Sequence, residues 1–250
     1  MGEPAWYFSE ISSTNDVAAV LAERGATQGT AVIASAQTAG RGRMGRAWHS
    51  PPGAGIYASI VFRDPRVAPM LTLAGAVAVA QGVHAATALP IEIKWPNDIV
   101  IRQGGSEPRR LKLAGILAEG STGAEGLQHV ILGLGINVGK ALYPPALMRV
   151  ATSIEAELGR SADAGAVLAE TLAALNTHVQ RLARGEAGEV LSRWRALAPS
   201  AVGSTVEWDR AGVRTRGTTA GIDHDGALLV RTEWGTERIF SGEVKWIALD

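Results

Sequence analysis

The sequence lacks cysteine, and neither sign of charge is in excess. Without cysteine, a disulfide scaffold, a cysteine nucleophile and a thiolate zinc site are all excluded. Lysine plus arginine and aspartate plus glutamate both number 24, so the formal net charge is zero. No global attraction to nucleic acid or to an acidic membrane follows from that balance. The five histidines are scattered without the spacing of metal ligands, so we expect no structural metal.

The N-terminal residues lack the features of a secretory leader. Residues 1–8 carry no basic segment and no long apolar run, so they do not predict a signal peptide. The most apolar stretch, residues 70–88, is rich in alanine and glycine and contains Gln81 and His84. This composition predicts a buried helix rather than a membrane span. We therefore expect a cytoplasmic protein.

Composition and length favour one main domain with a small appendage. The 250 residues are 46% hydrophobic and 19% charged, values close to those of globular proteins. The periodicity of apolar residues predicts an α+β domain in which helices pack on a mixed β-sheet.

Ser13, followed three residues later by Asp16, resembles a capping box at the start of the first helix. The predicted strands are residues 5–8, 30–34, 56–62, 91–95, 99–101, 111–119 and 129–138, and the predicted helices are residues 17–22, 70–89, 164–184 and 190–197.

The composition changes after residue 200, where short apolar runs alternate with turns. The turns Asp225-Gly226 and Trp234-Gly235 separate predicted strands. Five short strands within so few residues predict a small SH3-like barrel. We therefore expect a catalytic domain at residues 1–200 and a barrel at residues 201–250. The predicted strands of the barrel are residues 205–208, 213–222, 227–231, 237–240 and 244–247.

The segment from Gly40 to Arg46 carries the central chemical signal. Its letters match the dinucleotide pattern G-x-G-x-x-G, but residues 47–53 contain two prolines and cannot form the helix that this pattern requires. It is not a P-loop, because Arg46 stands where lysine is required. A glycine-jointed loop of this kind is not expected to form a regular element. Its guanidinium groups could bind phosphate oxygens and Trp48 could stack on a purine. The alternative is a solvated basic turn with Trp48 in the core.

Five short motifs together resemble the biotin–protein ligases. They are Ser13-Thr14-Asn15, Gln37 to Trp48, Lys94-Trp95-Pro96-Asn97-Asp98, Lys112 to Glu119 and Gly133 to Val138. They occur in the family's order, and the resemblance covers roughly residues 6 to 250. It implies a class II synthetase-like catalytic domain of the biotin/lipoate ligase type, followed by the barrel. It also implies an enzyme that makes biotinyl-AMP from biotin and ATP, then transfers biotin to a lysine of a biotin carboxyl-carrier domain.

The resemblance assigns residues to the biotin site. Ser13, Thr14 and Gln37 are expected to hydrogen-bond the ureido ring of biotin, and Asn15 to support them. Convergent hydroxyl and amide groups suit that neutral, polar ring. Gly115 is expected to let the biotin tail approach the backbone closely.

The resemblance also assigns residues to the adenylate. Arg41 and Arg43 are expected near the biotin carboxyl and the phosphate, with the loop ordered over the ligand and Trp48 beside the adenylate. Asn137 is expected near the phosphates and the Mg²⁺ ion that accompanies ATP. The alternative for Asn137 is a strand-end amide that only satisfies the backbone.

Two charged residues are expected at the reacting centre. Lys112 lies in an otherwise apolar strand and needs an anionic partner, because a lone buried ammonium is costly. The resemblance supplies the carboxylate and α-phosphate oxygens, whereas the alternative is a strand-edge lysine with its head in solvent. Asp98 is expected to position or deprotonate the acceptor lysine, the alternative being a turn cap.

The resemblance implies biotin, ATP with Mg²⁺ and a carboxyl-carrier domain as ligands and partner. We expect no permanently bound cofactor, no membrane contact, and a monomer or weak homodimer. Some family members carry an N-terminal helix-turn-helix domain and act as repressors. This chain starts at its first strand, so we expect the monofunctional type without DNA binding. Met44 stands where several relatives have a charged residue, and Glu243 and Lys245 are candidates for reaching the ATP site.

Three other functions compete with this interpretation. A lipoate ligase or octanoyl transferase shares the catalytic fold, but its apolar ligand does not need the polar cluster at residues 13–15 and 37. A nicotinamide-dependent oxidoreductase is disfavoured by the missing helix after Gly45. A nucleic-acid-binding module built on the barrel is disfavoured by the neutral charge.

Overall fold

A seven-stranded sheet forms the larger part of the protein. The computed structural model describes residues 1–104, 109–140, 143–210 and 212–247. The first two strands of the sheet are parallel and its other neighbours are antiparallel, so the predicted mixed sheet is confirmed. The strands are β1 (Ala5–Phe8), β2 (Ala31–Ala34), β3 (Gly55–Phe62), β4 (Glu92–Lys94), β5 (Asp98–Gln103), β6 (Arg109–Gly123) and β7 (Gly126–Asn137), and they lie in the order β1-β2-β3-β7-β6-β5-β4.

Helices cover both faces of this sheet. The helices are α1 (Thr14–Glu23), α2 (Leu71–Thr87), α3 (Ile154–Leu158), α4 (Ala164–Ala183) and α5 (Ala187–Leu197). Along a strand, successive side chains point to opposite faces. Accordingly Val32, Val61 and Ile131 pack with α1, whereas their neighbours in sequence join the core formed with α2, α4 and α5. The face that carries α1 also carries the cavity described below.

Helix α2 is the core helix that residues 70–88 predicted. By length and composition alone, residues 68–87 could cross a membrane, but 67% of the window is buried inside the protein. Eleven of its seventeen residues are buried, including Leu71, Val77 and Val83. Since it packs on both the sheet and α4, its continuous apolar surface is covered by protein.

Gly82 of α2 lies directly against the backbone of α4 at Thr171. A Cβ built on Gly82 would lie 2.5 Å from the backbone N of Thr171 and 2.6 Å from its Cα. Because backbone cannot rotate away, Gly82→Ala is expected to lower the free energy of unfolding by about 2–3 kcal/mol, the usual cost of overpacking. Gly188→Ala in α5 is the matched control, since a Cβ there meets nothing within 4 Å. It should be neutral or raise stability by up to about 1 kcal/mol. Urea unfolding of both variants tests this, and equal stabilities would contradict it.

The C-terminal residues form the predicted small β domain. Its strands are β8 (Val202–Arg210), β9 (Val213–Ile222), β10 (Leu228–Thr232), β11 (Gly235–Ile239) and β12 (Val244–Trp246), and they form one antiparallel sheet in the order β11-β10-β9-β8-β12. Gly226 and Gly235 have positive φ values of 82° and 127°, which confirms both predicted turns. The buried residues Val206, Leu228 and Val230 belong to the same apolar core as α2. The division at residue 200 stays a prediction.

Several element predictions were wrong in detail. Helix α1 begins at Thr14, three residues before the predicted start, and Ser13 occupies the N-cap without a side-chain capping bond. The capping box is therefore absent, and the Ser13 hydroxyl is left for the cavity. Strand β6 continues past its predicted end to Gly123 and β7 begins before its predicted start, at Gly126, because the two strands continue as a paired hairpin. Helix α3 was missed, since five residues are too few for a periodic signal. Residues 105–108 of the predicted turn lie outside the described residues.

Candidate active site

One cavity of about 330 Å³ gathers the predicted site residues. It lies between the N-terminus of α1, the segment 40–48 (hereafter the arginine loop), the centres of β6 and β7, and residues 242–244 of the C-terminal domain. All the residues predicted for the biotin and adenylate sites line it, namely Ser13, Thr14, Asn15, Gln37, Arg41, Arg43, Trp48, Asp98, Lys112, Gly115 and Asn137. The sequence motifs therefore converge on one place although they are separated by up to 124 residues along the chain (from 13 to 137).

The first end of the cavity is a buried polar cluster at the start of α1. Ser13, Thr14 and Asn15 are 2%, 4% and 6% exposed. The amide of Gln37 completes the cluster: its Oε1 accepts from Thr14 N at 2.8 Å, and its Nε2 donates to Ser50 Oγ at 2.9 Å. Neutral donors and acceptors of this kind suit a small polar ring better than a hydrocarbon chain.

Two residues behind this cluster were missed by sequence reasoning. Ser59, in β3, is fully buried, and its Oγ lies 2.7 Å from Thr14 Oγ1 and 2.5 Å from Asn15 Oδ1. Glu119, in β6, accepts from Asn15 Nδ2 at 2.5 Å. A serine inside the apolar run Ile56 to Phe62 was the available signal for Ser59. A polar group there must find a buried partner.

The arginine loop is folded back on itself. Gly42 N donates to Arg46 O at 2.7 Å and Trp48 N to Gly40 O at 2.8 Å, so the loop closes like a small hairpin. Arg43–Gly45 forms a single turn with non-helical backbone angles at Met44, so the prediction that the loop forms no regular element is confirmed. The backbone of Met44 in this turn has the left-handed conformation, with φ 57°, and its side chain is exposed. The turn places the side chains of the loop arginines in three different directions.

The three arginines of the loop have different partners. Arg41 forms a bidentate pair with Asp16 of α1, at 2.6 and 2.8 Å, and this pair raises the pKa of Arg41. Arg46 pairs with Glu243 of the C-terminal domain at 2.6 Å. Arg43 makes a weaker contact with Asn97 Oδ1 at 3.4 Å, and burial lowers the pKa of its guanidinium. Of the three, Arg43 is the half-buried cation whose charge is least compensated by the protein.

Lys112 and Asp98 form an ion pair beside the loop. Lys112 Nζ lies 2.6 Å from Asp98 Oδ1 and 5.2 Å from the centre of the Trp48 ring. The pair joins β6 to the first residue of β5. Lys94 lies close to them, over the ring of Trp246 at 5.0 Å, and burial lowers its pKa. Lys112 therefore has an anionic partner within the protein, Asp98, and its predicted contact with the carboxylate and α-phosphate oxygens stays a prediction.

Glycines in β6 and β7 form the floor of the cavity. A Cβ on Gly115 would lie 3.1 Å from the Trp48 ring, and one on Gly135 only 2.6 Å from it. A Cβ on Gly133 would lie 2.3 Å from Asn15 Oδ1. Side chains at these positions would displace both Trp48 and the polar cluster. The group that approaches Gly115 is the Trp48 ring, and the prediction that Gly115 admits the biotin tail stays a prediction.

The charges that line the cavity favour an anionic ligand. Five cationic side chains and two carboxylates line it; the cations are Arg41, Arg43, Arg46, Lys94 and Lys112, and the carboxylates are Asp98 and Glu243. The excess of positive charge contrasts with the zero net charge of the whole chain. Glu243 lines the cavity, whereas Lys245 lies opposite Glu207 in the register of β12 and β8. That either residue reaches ATP stays a prediction.

Asn137 fits a magnesium ion only as an accessory ligand. Its Nδ2 donates to Thr152 O at 3.0 Å, so its Oδ1 is the atom left for the cavity. Among the described residues, the group of three acidic or histidine side chains close enough to share a metal is Asp223, His224 and Asp225, in a C-terminal turn. One amide oxygen suits Mg²⁺ that arrives on phosphates, because this ion keeps water and phosphate oxygens as most of its ligands.

Comparisons with known proteins match both parts of the chain. The model of the biotin/lipoate A/B protein ligase family matches residues 7–137, and that of the biotin protein ligase C-terminal domain matches residues 210–245. The first match spans the polar cluster, the arginine loop and Lys112. The second spans Glu243.

Relatives and solved structures resemble the chain along nearly its whole length. The bifunctional ligase/repressor BirA of Bacillus spizizenii is 35% identical over 250 residues, covering 98% of this chain and 74% of that protein. The biotin–[acetyl-CoA-carboxylase] ligase of Paracoccus denitrificans is 32% identical, covering 94% of this chain and 98% of that protein. The biotin protein ligase of Aquifex aeolicus, solved in complex with biotin and ATP, has a TM-score of 0.82 and 26% identity. That alignment covers 97% of this chain and 98% of that one.

Proposed function

The chain belongs to the biotin/lipoate A/B protein ligase family, and from that premise we propose that it is a biotin–protein ligase. It activates biotin with ATP to biotinyl-5′-AMP and transfers the biotinyl group to a lysine of a biotin carboxyl-carrier domain. One observation carries the proposal. A neutral polar cluster, suited to a cyclic urea, and a cationic cluster, suited to phosphates, are the two ends of one cavity.

In the first half-reaction, a biotin carboxylate oxygen attacks the α-phosphorus of ATP. The bond between that phosphorus and the bridging oxygen breaks, and pyrophosphate leaves. Both reactants are anions, so orientation and positive charge supply the catalysis. Lys112 Nζ lies 2.6 Å from Asp98 Oδ1 in the free protein. When the substrates bind, Lys112 exchanges this partner for the oxygens of the reacting pair. Arg43 binds the phosphate and shields the anhydride product from water.

In the second half-reaction, the neutral amine of the acceptor lysine attacks the acyl carbon and AMP leaves. The attacking nitrogen must lose a proton. Asp98 faces the cavity, and once Lys112 has turned to the ligand its carboxylate is free to accept that proton or to hold the amine in place.

The residues also support a role for magnesium that is carried by ATP. When bound, the ion neutralises charge on the phosphates that leave as pyrophosphate. Asn137 Oδ1 would be its contact with the protein.

The cytoplasm supplies ATP, and we propose that the reaction takes place there.

Intact-mass spectrometry of an acceptor domain tests the proposed function. A biotin carboxyl-carrier domain is incubated with the protein, Mg²⁺ and ATP, with biotin, lipoate and octanoate present together. An ATP-dependent mass gain that matches biotin on one lysine is the expected result. A gain that matches lipoate or octanoate would mean that the polar cluster around Thr14 and Gln37 has been misinterpreted. No gain with a competent acceptor would overturn the ligase assignment itself.

A further inference from the structure

Two lysines of the cavity share one carboxylate. Asp98 forms its ion pair with Lys112, at 2.6 Å. Lys94 stands opposite Asp98 in the register of β4 and β5, and it also lines the cavity. None of the ion pairs between described residues includes Lys94. Within the described part of the chain, Lys94 is therefore a half-buried cation without a carboxylate partner.

An aromatic ring of the C-terminal domain takes the place of that carboxylate. Lys94 Nζ lies 5.0 Å from the centre of the Trp246 ring. The face of the ring attracts a cation, and this attraction strengthens where water is excluded. A carboxylate would cancel the positive charge, and an incoming phosphate would have to displace it. A ring holds the ammonium in place and leaves its full charge for a ligand.

The Trp246 ring is itself held in position. It lies on β12, which pairs with β8, and its Nε1 donates to Ser200 O at 3.3 Å. Ser200 is buried. Trp95, the residue after Lys94, is also tied to the C-terminal domain, since its Nε1 donates to Gly226 O at 3.0 Å. The end of β4 and the ring beside it therefore have a fixed relation to each other.

Lys94 lies beyond Lys112 as seen from the polar cluster. The cluster contacts β3 through Ser59 and β7 through Gly133. Lys112 lies on β6, and Lys94 lies two strands further on, on the edge strand β4, which is about 10 Å across the sheet. The cavity-lining residues of the segment 143–151 are uncharged and give phosphates no ionic partner. A ligand that reacts beside Lys112 therefore directs its leaving pyrophosphate toward Lys94.

The charges around Lys94 favour an anionic ligand. Burial lowers the pKa of Lys94, because the ammonium loses hydration. Asp98 and Glu243 raise this pKa, whereas Lys112 and Arg110 lower it. An anion bound beside the ammonium favours its charged form and offsets the cost of burial.

We propose that Lys94 binds the pyrophosphate leaving group and that Trp246 is the positioning residue that holds the Lys94 ammonium for it. As the bond between the α-phosphorus and the bridging oxygen breaks, negative charge grows on the leaving oxygen, and an ammonium without a carboxylate partner stabilises that charge. Trp246 does not line the cavity and acts through Lys94. The inference rests on the proposed function for ATP as the substrate.

Calorimetric titration of the full-length protein with inorganic pyrophosphate tests the inference. Lys94→Met keeps an unbranched side chain without its charge, and it is expected to raise the Kd for pyrophosphate by about 10-fold or more. Trp246→Leu removes the ring and is expected to raise this Kd by about 5-fold. Trp246→Phe loses the same indole N–H but keeps a ring face, so its Kd should stay within about 2-fold of the parental value.

Two further measurements distinguish positioning from a structural role. Because the ring acts through the ammonium, Trp246→Leu should raise the Kd by less than about 2-fold when Lys94 is already methionine. Transfer of biotin from added biotinyl-adenylate to an acceptor domain involves no pyrophosphate. Its rate should therefore stay near the parental value in all three single variants.

Matched controls change a tryptophan and a lysine elsewhere. Trp234→Leu alters an exposed ring in the turn between β10 and β11, and Lys140→Met alters an exposed lysine. Neither residue lines the cavity. Both variants should keep the parental Kd for pyrophosphate.

The outcomes separate the inference from the proposed function. No measurable binding of pyrophosphate by the parent, or a parental Kd in Lys94→Met, would overturn the inference. Equal losses in Trp246→Phe and Trp246→Leu would reject the role of the ring, as would a slower transfer step together with a lower melting temperature. Failure of the parent to transfer biotin is a different result. It rejects the proposed function, while the titration still shows whether Lys94 and Trp246 bind pyrophosphate together.

Discussion

Lys112→Ala is expected to lower the rate of biotinyl-adenylate formation by roughly 10³-fold, the loss typical of a removed charge-stabilising group. The Lys112 ammonium lies 5.2 Å from the centre of the Trp48 ring and would lie 3.4 Å from a Cβ on Gly115. Its present partner, Asp98, shows that the ammonium reaches the cavity and is not a strand-edge group in solvent. Biotin-dependent exchange between pyrophosphate and ATP measures this half-reaction without an acceptor.

The aspartate partner makes a second variant necessary. Removing Lys112 alone leaves Asp98 as an unpaired carboxylate that repels phosphate, so part of any loss could come from that repulsion. Lys112→Ala combined with Asp98→Asn removes it. If Lys112 acts on the reacting oxygens, the double variant stays at least about 100-fold below the parent. Lys140→Ala, an exposed lysine, is the control. Near-parental exchange in the double variant would exclude Lys112 from the reacting centre.

The elements with strong periodicity could be predicted from the sequence. Helices α2 and α4 and the central strands are long and apolar on a regular repeat, and they lie where their patterns placed them. Helix α3 is one turn and a half long and carries too few residues for a period to show. The bounds of β6 and β7 were wrong because each strand is extended by pairing with the other, which is information held in the partner strand.

The site shows the same division between local and non-local information. Short sequence motifs identified the residues that line the cavity, because each motif is local and can be recognised by itself. The residues with which they pair could not be predicted in this way. The pairs Arg46–Glu243 and Asn15–Glu119 join residues 197 and 104 positions apart (243 − 46 and 119 − 15), so no local spacing records them. For the same reason Lys112 looked unpaired in its strand until the fold placed Asp98 beside it.

Arg43→Ala is expected to speed release of biotinyl-adenylate into solution by roughly 30- to 100-fold, which corresponds to the loss of one hydrogen bond to a charged group. Burial lowers the pKa of this guanidinium, and its protein contact, Asn97 Oδ1, is neutral and 3.4 Å away. A buried cation with so weak a partner gains most from an anion. Arg41 and Arg46, by contrast, already have carboxylate partners and lose them if they turn to the ligand.

The release rate is measured by forming the adenylate in the protein, diluting it into unlabelled biotin and following the label that stays bound. A second readout is the labelling of lysines on a bystander protein, which free biotinyl-adenylate acylates without selectivity. Arg66→Ala is the control, since this exposed arginine pairs with Asp64 outside the cavity. If Arg43→Ala retained the adenylate as long as the parent did, closure of the arginine loop would have to depend on Arg41 and Arg46, and their ion pairs with Asp16 and Glu243 would be the contacts that exclude water.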